Sequence, residues 1–318
     1  MAEATLEPVK TPRNRPGWQE RLRSNPVLVK EMRSRMRGGR AFAVLTAYLG
    51  LLALAAGLMY LGFTATSRPA GSVDERQVFG KLMFGVVVWL ELTVVSFTAP
   101  ALTAGAIASE RERQTYDLVR ATLLPARSLV WGKFASGLAF LLLLLFAALP
   151  LQSLAFLFGG IAPEEVLVAT GVLVATAINF CAVGIFCSSF TSRTLIATVL
   201  AYGFAILLVF GLPVLFLVGI NVLNSTFFGG ITTQLSPGLE TVLFAGGWLL
   251  ICLNPSAALL ASEVVLLDQQ SLFLFKLPMT SGGSLTLLSP WLPNILLSLV
   301  FSLLLLWQSV RILRRVDK

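Results

Sequence analysis

The side chains with the clearest functional spacing are the charged residues of the stretch SERER, residues 109–113. This stretch stands between two apolar runs that are too long for ordinary core helices. Because charges at this density do not lie in hydrocarbon, we predict a water-facing connection between two membrane crossings. Ser109 and Glu112 have the spacing of a capping box, which predicts a short helix over residues 110–119.

The predicted helix also carries an apolar and aromatic face, formed by Thr115, Tyr116, Leu118 and Val119. A charged helix with a small apolar face suits docking into a groove on a partner protein. A solvated loop at the membrane surface is the alternative interpretation of the same pattern.

Enzymatic chemistry is largely excluded by what the sequence lacks. It contains no histidine, which removes Ser-His and Cys-His catalysis and HExxH zinc sites. Cys181, Cys187 and Cys252 lie in apolar runs without metal-ligand spacing, and we interpret them as packing residues. The Gly-Lys pairs at residues 80–81 and 132–133 lack the other residues of a phosphate-binding loop. We expect no ATP hydrolysis by this chain, no cofactor and no metal, and therefore a pathway, an anchor or a mechanical element.

The composition places the charged stretch in a membrane protein. Of the 318 residues, 56% are apolar and 13% are charged, whereas soluble domains carry about 25% charged residues. Six apolar runs are long enough to cross a hydrocarbon layer of about 30 Å. They cover residues 41–63, 82–109, 134–158, 166–190, 195–220 and 291–310. We predict an all-α integral membrane protein with a transmembrane domain over residues 41–310.

The basic residues orient these spans. If the chain crosses six times from a cytoplasmic N-terminus, the cytoplasmic segments hold twenty Lys and Arg residues and the outside segments four. The positive-inside rule then places both termini in the cytoplasm, including the basic tail at residues 311–318. The net charge of +8 is thereby explained by orientation, and we expect no nucleic-acid partner. The first forty residues do not resemble a secretory signal, and we expect a multi-pass protein of the plasma membrane, the inner membrane of a bacterium.

The segment before the first span divides into two parts. Residues 1–24 have the composition of a disordered cytoplasmic tail. Residues 25–40 predict an amphipathic helix on the lipid surface, with a proline at its first helical position. Its apolar positions are Leu28, Met32 and Met36, and its basic positions include Lys30 and Arg33. A solvated basic tail is the alternative.

Two further features of the apolar runs are candidates for function. Residues 242–267 form two apolar halves around Asn254-Pro255, each too short to cross alone. We favour a re-entrant or interfacial hairpin over two extra spans. Glu91 is a charge placed well inside a crossing, and Asn179 is a weaker polar candidate. Both are predicted to line a translocation path or, alternatively, to form hydrogen bonds between helices.

Several motifs together resemble the type-2 ABC-transporter permease family. They are Asn25-Pro26-Val27 with Lys30-Glu31, Ala104-Gly105-Ala106-Ile107, Glu110-Arg111-Glu112-Arg113-Gln114-Thr115, Gly132-Lys133, Leu149-Pro150, Gly159-Gly160 and Asn254-Pro255. The resemblance covers nearly the whole length. It departs from the family after the charged stretch, where residues 122–126 read TLLPA instead of the frequent Thr-Pro-Leu-Ser-Pro.

The resemblance implies a six-span permease subunit that pairs with a second copy or a sister permease and with two separate cytoplasmic ABC ATPase subunits. The surface helix would be the family's connecting helix, and residues 110–119 its coupling helix. The coupling residues would be Glu110, Arg111, Glu112, Arg113, Thr115, Tyr116 and Leu118. Because the family mostly resembles exporters, we expect export by alternating access.

Two other classes of function stay open. A secondary transporter is expected to show an internal repeat and several charges inside its spans. A membrane anchor or scaffold would need no coupling helix. Lipids, hydrophobic drugs and peptides are all compatible with the apolar spans as substrates, and the sequence does not choose among them.

Overall fold

The computed structural model describes residues 26–36, 39–66, 73–115, 125–215, 218, 237–269, 271–278 and 284–316. Its α-helices are α1 (Pro26–Met36), α2 (Gly39–Thr66), α3 (Val73–Thr103), α4 (Ala108–Glu112), α5 (Ala126–Ser153), α6 (Pro163–Phe190), α7 (Thr194–Ile206), α8 (Pro237–Leu253), α9 (Pro255–Gln269) and α10 (Trp291–Val316). Strands β1 (Leu274–Pro278) and β2 (Ser284–Leu288) form a hairpin. The predicted tail at residues 1–24 lies outside the described residues.

Six of the described helices are long and apolar enough to cross a membrane. They are Ala41–Ala65, Glu75–Glu112, Ala126–Phe156, Pro163–Phe190, Thr194–Leu215 and Trp291–Arg315, where α4 is counted with α3. Each is a long and mostly apolar segment, and its helical conformation satisfies the backbone N–H and C=O groups internally, as a lipid environment requires. The prediction of an all-α integral membrane protein is confirmed, and six helices among the described residues are candidate spans.

Helix α6 is the centre of the bundle. Within its most apolar window, 67% of the residues are buried, against 17% for the corresponding window of α2, and α6 packs against α3, α5, α7 and α10. Small residues allow this close packing. A Cβ added at Gly184 of α6 would overlap the hydroxyl of Thr103, and one at Gly137 of α5 would come within 2.8 Å of the Thr103 methyl group. Thr103 thus holds the end of α3 between α5 and α6.

The break predicted at Asn254-Pro255 is the boundary between α8 and α9. The chain direction bends by 117° between the apolar parts of the two helices, Phe244–Leu253 and Pro255–Leu266. Pro255 has no backbone N–H to donate, and the Asn254 Oδ1 accepts hydrogen bonds from the backbone N–H groups of Ser256 (2.9 Å) and Ala257 (3.1 Å). Asn254 therefore caps the start of α9. A sharply bent pair of this kind fits the predicted re-entrant hairpin, and also a single broken span.

The tip of this bent pair is fixed to α7. Residues Leu207–Gly211, which continue α7, form a π-helical turn, and such a turn disrupts the regular pairing of carbonyl groups. The side-chain amide of Asn254 donates to the Leu208 carbonyl, and the Ser256 hydroxyl lies 3.2 Å from the Val209 carbonyl. These two hydrogen bonds join the start of α9 to the end of α7, and we call them together the Asn254 contact.

The short β-hairpin is an element that the sequence analysis did not predict. β1 and β2 are antiparallel, with Lys276 opposite Thr286. The side-chain amide of Gln269, at the end of α9, donates to the Lys276 carbonyl (2.8 Å) and accepts from the Lys276 N–H (2.9 Å). Gln269 thereby pairs one exposed edge of β1, which would otherwise present free backbone groups.

Candidate functional site

The predicted coupling segment lies at a break in the second span. α3 ends at Thr103, residues 104–107 form a turn, and α4 covers only Ala108–Glu112. Gln114 adopts a left-handed conformation (φ 56°), and the Thr115 N–H donates to the Glu110 carbonyl (2.9 Å). This is a frequent way to end a helix. Tyr116 and Leu118, which were predicted to extend the coupling face, lie outside the described residues.

The start of α4 is capped by α6 and not by its own sequence. The Ser188 Oγ accepts hydrogen bonds from the backbone N–H groups of Ile107 (2.8 Å) and Ala108 (2.9 Å). Ser109 lies inside the helix, so the predicted capping box of Ser109 and Glu112 is wrong. Ser188 performs the same task, because the first N–H groups of a helix have no partner within it.

The side chain of Lys133 joins three elements at this break. Its Nζ lies 2.7 Å from Glu110 Oε1, 2.8 Å from the Ala106 carbonyl and 3.4 Å from Glu31 Oε1. Only 3% of the Lys133 side chain is exposed. A buried ammonium group is stable only when its charge is paired and its three donors are satisfied. Lys133, which the sequence pattern placed only at the membrane interface, is therefore a structural link between α1, α4 and α5.

Arg35 completes the link from α1. Its Nη2 donates to the Leu102 carbonyl near the end of α3 (2.8 Å), and its Nε lies 3.7 Å from Glu31 Oε2. The two cations and the two carboxylates balance each other in charge. We call Glu31, Arg35, Glu110 and Lys133 the Lys133 cluster. Basic side chains at a helix C-terminus also satisfy carbonyl groups that lack partners within the helix.

The opposite side of α4 is bound to the turn between α6 and α7. The Glu112 Oε2 accepts a hydrogen bond from the Thr194 N–H (3.1 Å), and the Arg111 Nη1 lies 3.4 Å from the Thr191 carbonyl. Glu112 thus caps α7, which has no side-chain cap from its own N-cap residue, Arg193. A displacement of α4 would reach the bundle through α1 and α5 on one side and through α6 and α7 on the other.

Residues 26–273 match the family model described as ABC-2 family transporter protein. The chain belongs to the ABC-2 transporter family. The matched range begins at α1 and includes the Lys133 cluster, α4 and the bent pair of α8 and α9. No curated protein matches the chain in sequence. Family membership and six apolar helices make it the multi-pass membrane permease of an ABC transporter, a class that works with ABC ATPase subunits.

Helix α1 of this ABC-2 permease packs against α5. The predicted apolar residues Leu28 and Met32 are half-buried, and the predicted basic residues Lys30 and Arg33 are exposed. Met36 lies in α1, and its side chain is outside the described part of the chain. Leu28 and Met32 are thus partly covered, whereas Val29 is exposed, and α1 has a protein neighbour as well as the lipid contact expected for it.

The two polar candidates inside the spans, Glu91 and Asn179, are both buried and lie on different helices. Glu91 is fully buried, and its Oε2 accepts a hydrogen bond from the side-chain amide of Gln152 at 2.6 Å. Asn179 is also buried, on α6. The bond from Gln152 joins α3 to α5, a contact that the sequence pattern did not reveal. Cys181, Cys187 and Cys252 are buried free thiols, which agrees with their interpretation as packing residues.

Proposed function

We propose that this chain is the permease subunit of an ABC exporter that moves its substrate by alternating access. ATP would be hydrolysed on separate cytoplasmic ATPase subunits and not by this chain. The observation that carries the proposal is the construction of α4. It is a short charged helix, set off from α3 by a turn and bonded on both sides to other helices. Such an element can pass a push from a partner into the bundle because it does not move independently of the neighbouring helices.

The proposed orientation puts both termini and α4 in the cytoplasm, with the protein in the plasma membrane, the inner membrane of a bacterium. The charge distribution supports it. The basic helix α1 is bonded to α4 through the Lys133 cluster, and the last turn of α10 carries Arg314 and Arg315. These basic groups belong on one side of the membrane by the positive-inside rule.

We further propose that the permease works as a pair, with a second copy or a sister permease, above two ATPase subunits. The large exposed apolar surface of α2 supports this. Leu51, Leu54, Leu58 and Leu61 are exposed on that helix. Such a surface is available to lipid and to a second permease.

For Glu91 we propose a role in joining helices. The hydrogen bond from Gln152 supports this assignment, since a buried carboxylate with a bonded partner on the neighbouring helix stabilises the contact between α3 and α5. A place on the translocation path, with Asn179, is the second candidate, and transport by a Glu91→Gln variant separates the two.

The coupling test must spare residues that hold the fold together. Glu110 belongs to the Lys133 cluster and Glu112 caps α7, so reversing either charge would disturb the structure as well as a docking surface. Arg113 is exposed and is a cleaner target. We expect Arg113→Glu to lower the ATPase activity that the permease stimulates in its partner, because it reverses a charge on the docking surface.

The matched control is Arg76→Glu, at an exposed position in the first turn of α3, at the other end of this span. It should leave stimulation unchanged, and both variants should insert into the membrane normally. Equal stimulation by the wild type and by Arg113→Glu would contradict a docking role for the residues around α4.

A further inference from the structure

We infer that α1 is a working part of the coupling machinery and that Glu31 and Lys133 are the residues that position it against α4. The inference rests on the proposed function, because it assumes that an ATPase subunit acts on α4. It assigns α1 a mechanical role in addition to its place at the lipid surface.

The ammonium group of Lys133 is shared by three parts of the structure. The three oxygen atoms around its Nζ come from α1, from the turn after α3 and from α4. Because only 3% of its side chain is exposed, water cannot easily replace a partner that moves away. A displacement of Glu110 must therefore carry Lys133 with it or break a buried ion pair.

The link continues from Lys133 into α1. Glu31 binds Lys133 through Oε1 and Arg35 through Oε2, and Arg35 holds the Leu102 carbonyl. Glu31 and Arg35 are one helical turn apart and so lie on the same face of α1. Lys30 and Arg33 of the same helix are exposed. α1 is thus attached to the end of α3 and to α4 by one face.

This arrangement differs from a simple anchor at the membrane surface. An anchor requires only an apolar face toward lipid and basic side chains toward the headgroups. Glu31 serves neither purpose, since a carboxylate is repelled by an anionic surface and Glu31 points its charge at the cluster instead. Its presence is explained by the ionic link to Lys133 and Arg35.

A purely structural role and a coupling role predict different results. If the link only stabilises the fold, weakening it lowers the amount of folded complex but leaves the activity of each assembled complex unchanged. If α1 takes part in coupling, the assembled complex should hydrolyse ATP with less stimulation by the permease and move less substrate for each ATP.

The experiment uses the full permease copurified with its ATPase partner and reconstituted in liposomes. Glu31→Gln keeps the size of the side chain and removes its charge. Glu164→Gln, the same change at an exposed carboxylate in the first turn of α6, is the matched control. We expect Glu31→Gln to lower permease-stimulated ATPase activity about fivefold or more per assembled complex, the lower end of typical coupling effects. Glu164→Gln should behave as the wild type.

Assembly is measured separately, as the amount of ATPase that copurifies with the permease. Where Glu31→Gln fails to assemble, Glu31→Asp decides the question, because it keeps the charge and shortens its reach. The inference predicts a partial loss of stimulation with Glu31→Asp at normal assembly. Full stimulation by an assembled Glu31→Gln or Glu31→Asp complex overturns the inference and leaves the proposed function standing. Failure of the wild-type permease to stimulate any ATPase overturns the proposed function itself.

Discussion

The turn between α3 and α4 and the break between α8 and α9 both leave backbone groups without a partner in their own helix, but charged side chains bind such groups only at the first of the two. At the first break, Lys133 and Arg35 bind the carbonyls of Ala106 and Leu102, and carboxylates balance their charge. At the second, the neutral side chain of Asn254 caps α9 and binds α7. A buried cation such as Lys133 needs carboxylates to balance its charge, whereas a neutral amide such as Asn254 needs only hydrogen-bond partners.

The charge of these side chains also determines how much stability each break loses when one side chain is replaced. An ionic link loses much of its stability when one charge is removed, because the remaining charges stay partly buried. A neutral hydrogen bond costs less to remove. A substitution in the Lys133 cluster should therefore destabilise the permease more than one at Asn254.

The largest expected effect is at Lys133. Replacing it in Lys133→Met should destabilise the permease by about 3 kcal/mol, the lower end for a broken buried ion pair, because Glu31 and Glu110 are each about a quarter exposed (28% and 24%). Thermal unfolding of the purified permease in detergent measures it. Lys30→Met, at an exposed position, is the control. Equal losses in the two variants would contradict the central place of Lys133.

The Asn254 contact should give a smaller effect with a local readout. Asn254→Ala removes the cap of α9 and the hydrogen bond to α7, which should cost about 1–3 kcal/mol. Cys252 is buried two residues away, so its reaction with a thiol reagent should become faster as the bent pair loosens. The measurement needs Cys181 and Cys187 replaced by alanine. An unchanged rate at Cys252 would show that Asn254 does not hold the tip.

The cap of α4 should have a similar or slightly smaller effect. Ser188→Ala removes the acceptor for two N–H groups and should cost about 1 kcal/mol, as for other helix caps. Hydrogen exchange of the amides of Ile107 and Ala108 should become faster. Thr198→Ala is a suitable control, since the Thr198 hydroxyl bonds only within α7, to the Thr194 carbonyl. Exchange as slow as in the wild type would argue that another group caps α4.

The smallest effect is expected at Glu91. Glu91→Gln keeps the side-chain size and an oxygen that can accept from Gln152. Transport by the reconstituted complex should therefore stay close to the wild-type rate. A large loss of transport with normal assembly would favour a place for Glu91 on the translocation path instead.

Much of the fold could be predicted from the sequence because it depends on local patterns. The six spans follow from uninterrupted apolar runs, and the break at Asn254-Pro255 follows from the missing N–H of proline. The connection between the second and third spans can likewise be recognised from the high density of charged residues in its sequence. These features need no knowledge of which helices are neighbours.

The rest depends on contacts between distant residues. Lys133 and Glu31 are separated by 102 positions, Ser188 and Ile107 by 81, and Glu91 and Gln152 by 61. A lysine beside a span usually indicates an interfacial residue, so the pattern alone could not identify Lys133 as a buried link. The β-hairpin was missed because its two strands are short and mostly apolar, and periodicity alone does not distinguish a short apolar strand from a helical segment.

The most direct test of the account determines on which side of the membrane α4 lies and whether the ATPase subunits cover it. A cysteine placed at the exposed position Arg113, in a chain whose three native cysteines are replaced by alanine, can be labelled with a membrane-impermeant thiol reagent. We predict labelling only from the cytoplasmic side, and protection from labelling when the ATPase subunits are bound. Labelling from the outer side would contradict the account, because no cytoplasmic ATPase could then reach α4.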